Sequence, residues 1–384
     1  MDISNKKITD RLKGNTMAYD IGIIKGDGTG PEVVNEAIKV LNKVSETHSL
    51  TLNFTDLPYD GQRYIDTGKT LTDDELEGLK QYNAILLGAI GHPDIKPGIL
   101  ERGILLKLRF ELDQYINLRP IKLFQNVYTP IKNKTPDDID YVVVRENTGG
   151  LYTGHGGCTM KNTEHEVAEQ AMVYSRHQVE RCVRFAFEHA KKRHADKPWK
   201  GLSEKEINEG KTGKVTLCGK SNVLQFVYDL WLRVMEDVGK EFPEIAWDYV
   251  HVDAVCIYMI ECPERFDIIV TGNMFGDIIT DLAAVTQGGM GIAPSGNINP
   301  NGTSMFEPIG GTAPSFTGQN AINPCACILA AAMMLDHLGE TDASKNVVQA
   351  VEKTVLKMDS MLAAKMGMTT TDVGSLVCEN LISK

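Results

Sequence analysis

Apolar runs of strand length recur along the chain as YDIGII, AILLGAI, DYVVVRE, KVTLCGK, DYVHVDAV and FDIIVTG. Longer segments of helical period lie between several of them. After GDGTG, Pro31 suits the first position of a helix, and Val34, Ile38, Leu41 and Val44 follow on one face. Strands alternating with helices predict an α/β architecture. At 384 residues the chain is long enough for two core-bearing units.

Charge and composition narrow the partners. The net charge of −11 and the lack of a dense Lys/Arg block argue against a nucleic-acid surface and favour a small-molecule substrate. The apolar stretch CACILAAAMML is far shorter than a membrane helix requires and reads as a buried helix. Residues 1–16 lack the apolar core of a secretory signal and read as a polar extension. Eight cysteines without framework spacing fit reduced thiols in the cytoplasm. His155 and Cys158 lack a second ligand pair and read as ordinary surface residues. Residues 191–214, charged and bearing Pro and Gly, predict a solvated excursion with a short helix of its own.

GDGTG follows a strand and opens a helix, but its third glycine falls one residue after the second rather than two. It therefore reads as a plain turn and not as a dinucleotide fingerprint. TGNMFGDIITD sets Asp277 and Asp281 one helical turn apart, where two carboxylates without a counter-ion repel by ~0.2–0.5 kcal/mol. Negative charge near a helix N-terminus accounts for Asp277 and poorly for Asp281. A divalent cation with hard oxygen ligands accounts for both. Among Arg109, Arg119, Arg145, Tyr152, Lys220, Asn222 and Asp253, several stand at or just after strand ends, where open α/β sheets bind ligands. Arginines in that setting suit a dicarboxylate through bidentate contacts.

From about Met17 to near the C-terminus, these segments resemble the β-decarboxylating dehydrogenase family of isocitrate and isopropylmalate dehydrogenases. TGNMFGDIITD, followed by GGMGIAPSGNI and MFEPIGGTAP, carries the resemblance most specifically. The isopropylmalate branch, including forms with LERG before the substrate segment, is the most similar. The resemblance implies two α/β domains sharing a large mixed sheet, an isopropylmalate-dehydrogenase-like fold that is not Rossmann. The first domain would comprise residues 17–114 and 289–384, and the second 115–288. It implies NAD and Mg²⁺ or Mn²⁺ as cofactors, and a homodimer with shared active sites. Asp277 and Asp281 would be metal ligands, joined by Asp253 of the partner subunit, which would also lie against the substrate. Arg109, Arg119 and Arg145 would hold the substrate carboxylates. Lys220, also from the partner, would take the proton of the C2 hydroxyl as hydride leaves. Tyr152 would protonate the enol after CO₂ departs. Thr29, Gly91, Glu307, Gly311, Thr312, Ala313, Ser315 and Asn323 would contact the cofactor.

Two segments bear on specificity. Where the family usually reads His-Gly-Ser/Thr-Ala-Pro-Asp, this chain has Gly310-Gly311-Thr312-Ala313-Pro314-Ser315. The acidic residue that repels a 2′-phosphate is thus replaced by serine, without a cation that would attract one. In GILLKLR, Ile104, Leu105 and Leu106 offer apolar surface suited to an isopropyl group. The expected reaction is therefore oxidative decarboxylation of 3-isopropylmalate to 4-methyl-2-oxopentanoate with reduction of NAD. FELDQYINLRP also resembles the tartrate and D-malate dehydrogenase branch, and the loop changes would suit a non-catalytic regulatory subunit.

Overall fold

The computed structural model describes residues 18–382, so the polar extension expected over 1–16 lies outside the described residues. In chain order the strands are β1 Ala18–Gly26, β2 Thr51–Asp56, β3 Ala84–Ala89, β4 Ile116–Lys122, β5 Asp140–Glu146, β6 Gly156–Thr159, β7 Val167–Gln170, β8 Gly213–Gly219, β9 Ile245–His251, β10 Ile268–Thr271, β11 Pro294–Ile298 and β12 Ser304–Pro308. The longer helices are α1 Gly30–His48, α2 Arg176–Arg193, α3 Gln225–Gly239, α4 Val252–Glu261, α5 Asn273–Thr286, α6 Cys325–His337, α7 Thr341–Val355 and α8 Thr370–Asn380. The fold is mixed α/β with a large mixed sheet of ten strands. Two compact units divide the chain: 18–112 with Gln125–Val127 and 289–382, and Asp113–Phe124 with Tyr128–Gly288.

In the first unit the strand order is β2-β1-β3-β12-β11, parallel except for the β11/β12 pair. β3 is buried along its whole length, as its unbroken apolar run requires. α1 starts with Pro31 in its first turn and turns Val33, Val34, Ala37, Val40, Leu41 and Val44 inward. Ile38, expected in that stripe, is only partly buried. α6 contains CACILAAAMML and is buried on nearly all sides, as expected of a helix apolar all round.

In the second unit the order is β4-β5-β10-β8-β9, with only β4/β5 antiparallel. The run DYVHVDAV is not one strand. β9 ends at His251, and Val252 opens α4. The 191–214 excursion does contain a short helix, Glu204–Asn208, with a capping box from Ser203. It is not wholly solvated, because Trp199 and Leu202 are buried and pin it to the unit. β6 and β7 form a separate antiparallel hairpin whose residues are all exposed. No helix among the described residues is long and apolar enough to cross a membrane.

Candidate active site

In the second unit four polar residues share one face of α5. β10 ends at Thr271, and α5 begins at Asn273. Positions 273, 277, 280 and 281 then recur at i, i+4, i+7 and i+8, a single helical face. β5 is central, and β4 pairs with it so that Asn117 stands opposite Arg145. Period-2 alternation places Arg119 on the same face of the sheet as Asn117.

The guanidinium of Arg145 lies across the first turn of α5. Its Nε donates to the Asn273 carbonyl at 2.9 Å and to Asn273 Oδ1 at 3.2 Å, while Nη2 donates to Oδ1 at 2.8 Å. Nη1 donates to Asp277 Oδ1 at 2.6 Å. Gly276 makes this possible, since a Cβ there would meet Arg145 Cγ at 2.4 Å. Arg119 reaches the next turn, with Nη1 donating to Thr280 Oγ1 at 2.6 Å and Nε to Asn117 Oδ1 at 2.7 Å. It stands 3.9 Å from Asp277 and 3.7 Å from Asp281. The Tyr152 hydroxyl donates to Asp277 Oδ2 at 2.8 Å.

This arrangement corrects the electrostatic premise about the two aspartates. They do have counter-ions within the chain, because two guanidiniums face them. A cation is therefore not required to make the pair tolerable. The donor set still fits one: both carboxylates remain partly open, at 44% and 61% side-chain exposure, and hard oxygens one turn apart suit Mg²⁺ or Mn²⁺. No group of three or more His, Cys, Asp or Glu able to hold a metal occurs among the described residues, so the chain itself offers a pair.

Lys220, the residue after β8, pairs with Asp253 of α4 at 2.8 Å. This bond holds the Asp253 carboxyl below the usual range. Tyr249 supports the turn by accepting from the Ser221 N–H at 2.8 Å. Lys220, Asp253, Arg145 and the start of α5 all sit at carboxyl ends of parallel strands.

The first unit holds the residues expected to meet the cofactor, and it does so mainly through backbone. Thr29 donates from both N–H and Oγ1 to the Thr312 carbonyl, at 2.9 and 3.2 Å. Gly28, at φ +60°, permits that approach, because a Cβ would lie 2.2 Å from the same carbonyl oxygen. Buried Asp27 accepts from the N–H groups of Gly61 and Gly91. Gly91 and Thr312 line a pocket of about 190 Å³ with His92, Pro314 and neighbours. Ala313 is left-handed at φ +40°, Gly311 and Ser315 are exposed, and buried Asn323 donates to Met361 O. Glu307 accepts from Arg109 at 3.1 Å and from Asn297 at 2.7 Å, so Arg109 belongs with Glu307 in this unit.

GILLKLR is also corrected. Residues Glu101–Leu106 form a π-helix that continues into the helix Lys107–Glu111. Ile104 is fully buried in the core, Leu105 packs against the same cluster, and Leu106 is partly buried. Ile104 therefore offers no surface to a substrate, whereas Leu105 and Leu106 remain available.

Asn273, Thr280, Asn117 and Tyr174 escaped the sequence reading. The i, i+4, i+7, i+8 polar face of TGNMFGDIITD was the available signal for the first two. Tyr174 and Asn117 carry no local signal.

Comparison with known proteins places these observations in a family. The isocitrate/isopropylmalate dehydrogenase family model matches residues 20–380. The 3-isopropylmalate dehydrogenase of Thermobifida fusca is 46% identical over 365 residues, covering 94% of this chain and 97% of that protein. The enzyme of the same name from Corynebacterium glutamicum is 45% identical, covering 94% and 99%. Among solved structures, isocitrate dehydrogenase from Methylococcus capsulatus superposes with a TM-score of 0.81 at 31% identity, covering 94% of this chain and 99% of that one.

Proposed function

Because the chain belongs to the isocitrate/isopropylmalate dehydrogenase family, we propose that it oxidatively decarboxylates 3-isopropylmalate to 4-methyl-2-oxopentanoate, a step of leucine biosynthesis, using NAD⁺ and Mg²⁺ or Mn²⁺. The observation that carries this reading is the convergence of Arg119, Arg145 and Tyr152 on the Asp277/Asp281 face of α5.

Arg109, Arg119 and Arg145 hold the substrate carboxylates. Rigid planar forks suit this task, and Arg145 is almost wholly removed from water. Lys220 of the partner subunit, as the neutral amine, accepts the proton of the C2 hydroxyl as hydride passes to the nicotinamide, and its contact with Asp253 of the partner subunit keeps the side chain in place until substrate arrives. Asp277, Asp281 and Asp253 of the partner subunit would hold the cation. When bound, it supplies electrophilic stabilisation of the charge that develops as CO₂ leaves. Tyr152 then returns a proton to carbon, from a hydroxyl already aimed into the site. Thr29, Gly91, Glu307, Gly311, Thr312, Ala313, Ser315 and Asn323 form the cofactor surface. NAD⁺ is the preferred form because neither Ser315 nor Phe316 supplies a cation for a 2′-phosphate. Leu105 and Leu106 face the isopropyl group.

A homodimer is part of this reading. Exposed Ile257 and Ile260 on α4, exposed Ile278 and Val285 on α5, and the fully exposed β6/β7 hairpin support pairing with a second copy. An isolated two-stranded hairpin is marginal in water. The free state of all eight cysteines supports a cytoplasmic location.

The test is a turnover matrix of 3-isopropylmalate, isocitrate, tartrate and D-malate, each with NAD⁺ and NADP⁺. 3-Isopropylmalate with NAD⁺ should give the highest kcat/KM. A preference for D-malate or tartrate would move the chain to another branch, and no turnover with any pair would favour a regulatory subunit.

A further inference from the structure

We propose that Asn273 is a positioning residue that couples the substrate-binding guanidinium of Arg145 to the loop carrying Tyr152; this rests on the roles given above to those two residues. Asn273 opens α5, is 2% exposed, and divides its polar groups among three parts of the site, Arg145, Gly149 and Tyr174. Its carbonyl and Oδ1 accept from Arg145 Nε and Nη2. Its Nδ2 donates to the Gly149 carbonyl at 3.2 Å. Its backbone N–H donates to the Tyr174 hydroxyl at 2.8 Å.

Those partners matter because each is fixed on its far side. Gly149 lies three residues before Tyr152, and its N–H donates to Glu146 Oε2 at 2.8 Å. Glu146 Oε1 accepts from Thr148 N–H and Oγ1 at 2.8 and 2.7 Å, which closes the turn. Tyr174 fills the space beside Gly149, Gly150 and Gly272, where a Cβ would meet its ring or hydroxyl at 2.6–2.7 Å. Arg145 in turn reaches Asp277, which also receives the Tyr152 hydroxyl. Asn273 is the residue shared by both halves of this loop of contacts. An amide is required because one end must accept from a cation while the other donates to a carbonyl.

The two ends can be separated by substitution. Asn273→Asp keeps the acceptors for Arg145 and loses the donor to Gly149; Asn273→Ala loses that donor and the Oδ1 acceptor, leaving Arg145 only the backbone carbonyl. Asn273→Ala should raise KM for the dicarboxylate about tenfold or more and lower kcat. Asn273→Asp should return KM to within about threefold of the parent while kcat stays low. Thr286→Ala, which removes a buried hydroxyl bond at the other end of α5, serves as the control for lost stability alone and should leave both constants near parental values. Crystal structures of both Asn273 variants should show Gly149–Tyr152 displaced in each, and Arg145 displaced only in the alanine variant. Equal KM in the two Asn273 variants, or unmoved Arg145 and Tyr152 in the alanine variant, overturns the proposal. Failure of the parent to turn over the substrate would overturn the functional reading instead, and the crystallographic comparison would still decide the positioning role.

Discussion

The α5 face and the glycine-rich loops of the first unit build function in opposite ways. On α5 the work is done by side chains: buried Asn273 and Thr280, two helical turns apart, accept from the buried guanidiniums of Arg145 and Arg119 respectively. Around Asp27–Thr29, Gly91 and Thr312–Ser315 the work falls to backbone groups, positive φ angles and missing Cβ atoms. A side-chain site suits discrimination among small charged substrates, where one misplaced fork loses a bidentate contact. A backbone site suits a long cofactor, because it admits close approach along an extended surface and reads little of its chemistry. Substitutions should therefore be abrupt on α5 and graded in the loops.

The largest effects should come from the proton-transfer groups. Tyr152→Phe should lower overall turnover by roughly 10²–10⁴-fold, and Lys220→Ala by a comparable factor. Pre-steady-state NADH formation distinguishes them, since Tyr152→Phe should keep more of the hydride step. Equal loss of that step in both would erase the division of labour. Next comes Asp277→Asn, which should cut metal-dependent turnover about a hundredfold or more, with excess Mn²⁺ recovering only part. EDTA should abolish activity in the parent, and Mg²⁺ or Mn²⁺ should restore it.

The loops should answer more gently. Ser315→Asp should lower KM for NAD⁺ by roughly two- to tenfold, the range of a single added hydrogen bond. Steady-state kinetics with both cofactors checks this, and no gain would mean the adenosine is read elsewhere. Gly28→Ala places a Cβ against Thr312 O at positive φ and should cost about 1–3 kcal/mol of stability in denaturant unfolding. An unchanged midpoint would mean that the Thr312 loop yields easily.

The smallest effect concerns pH. Burial pushes the Glu146 carboxyl above its ordinary range despite the N–H and O–H groups it accepts from. A raised carboxyl pKa contributes stability below the unfolded-state value and loses it as pH rises through the folded-state value. Glu146→Gln should therefore flatten the rise in Tm between neutral and mildly acidic pH. An unchanged slope would mean that other carboxylates dominate it.

What could be read in advance follows the same divide. β3, β5 and α6 were legible because burial on both faces demands unbroken apolar runs. Asp277 and Asp281 were legible as a pair one turn apart, but the guanidiniums that balance them come from β4 and β5, more than a hundred residues earlier, and no local pattern announces that contact. Ile104 shows the converse. An apolar residue beside an expected substrate segment was read as ligand surface, and tertiary packing claimed it for the core. The β9/α4 boundary was missed because apolar content runs straight through His251 while the period changes from two to 3.6. Gly28 has no side chain to signal its role, which became visible only as the space Thr312 occupies.

The central claim is that the α5 aspartates, already balanced by arginines, still accept a divalent cation. Mn²⁺ binding followed by electron paramagnetic resonance tests it directly, with the parent, Asp277→Asn and Asp281→Asn titrated with and without 3-isopropylmalate. The account predicts saturable Mn²⁺ binding in the parent, tightened by substrate and weakened at least about tenfold in each variant. Binding in Asp277→Asn and Asp281→Asn as tight as in the parent would contradict it.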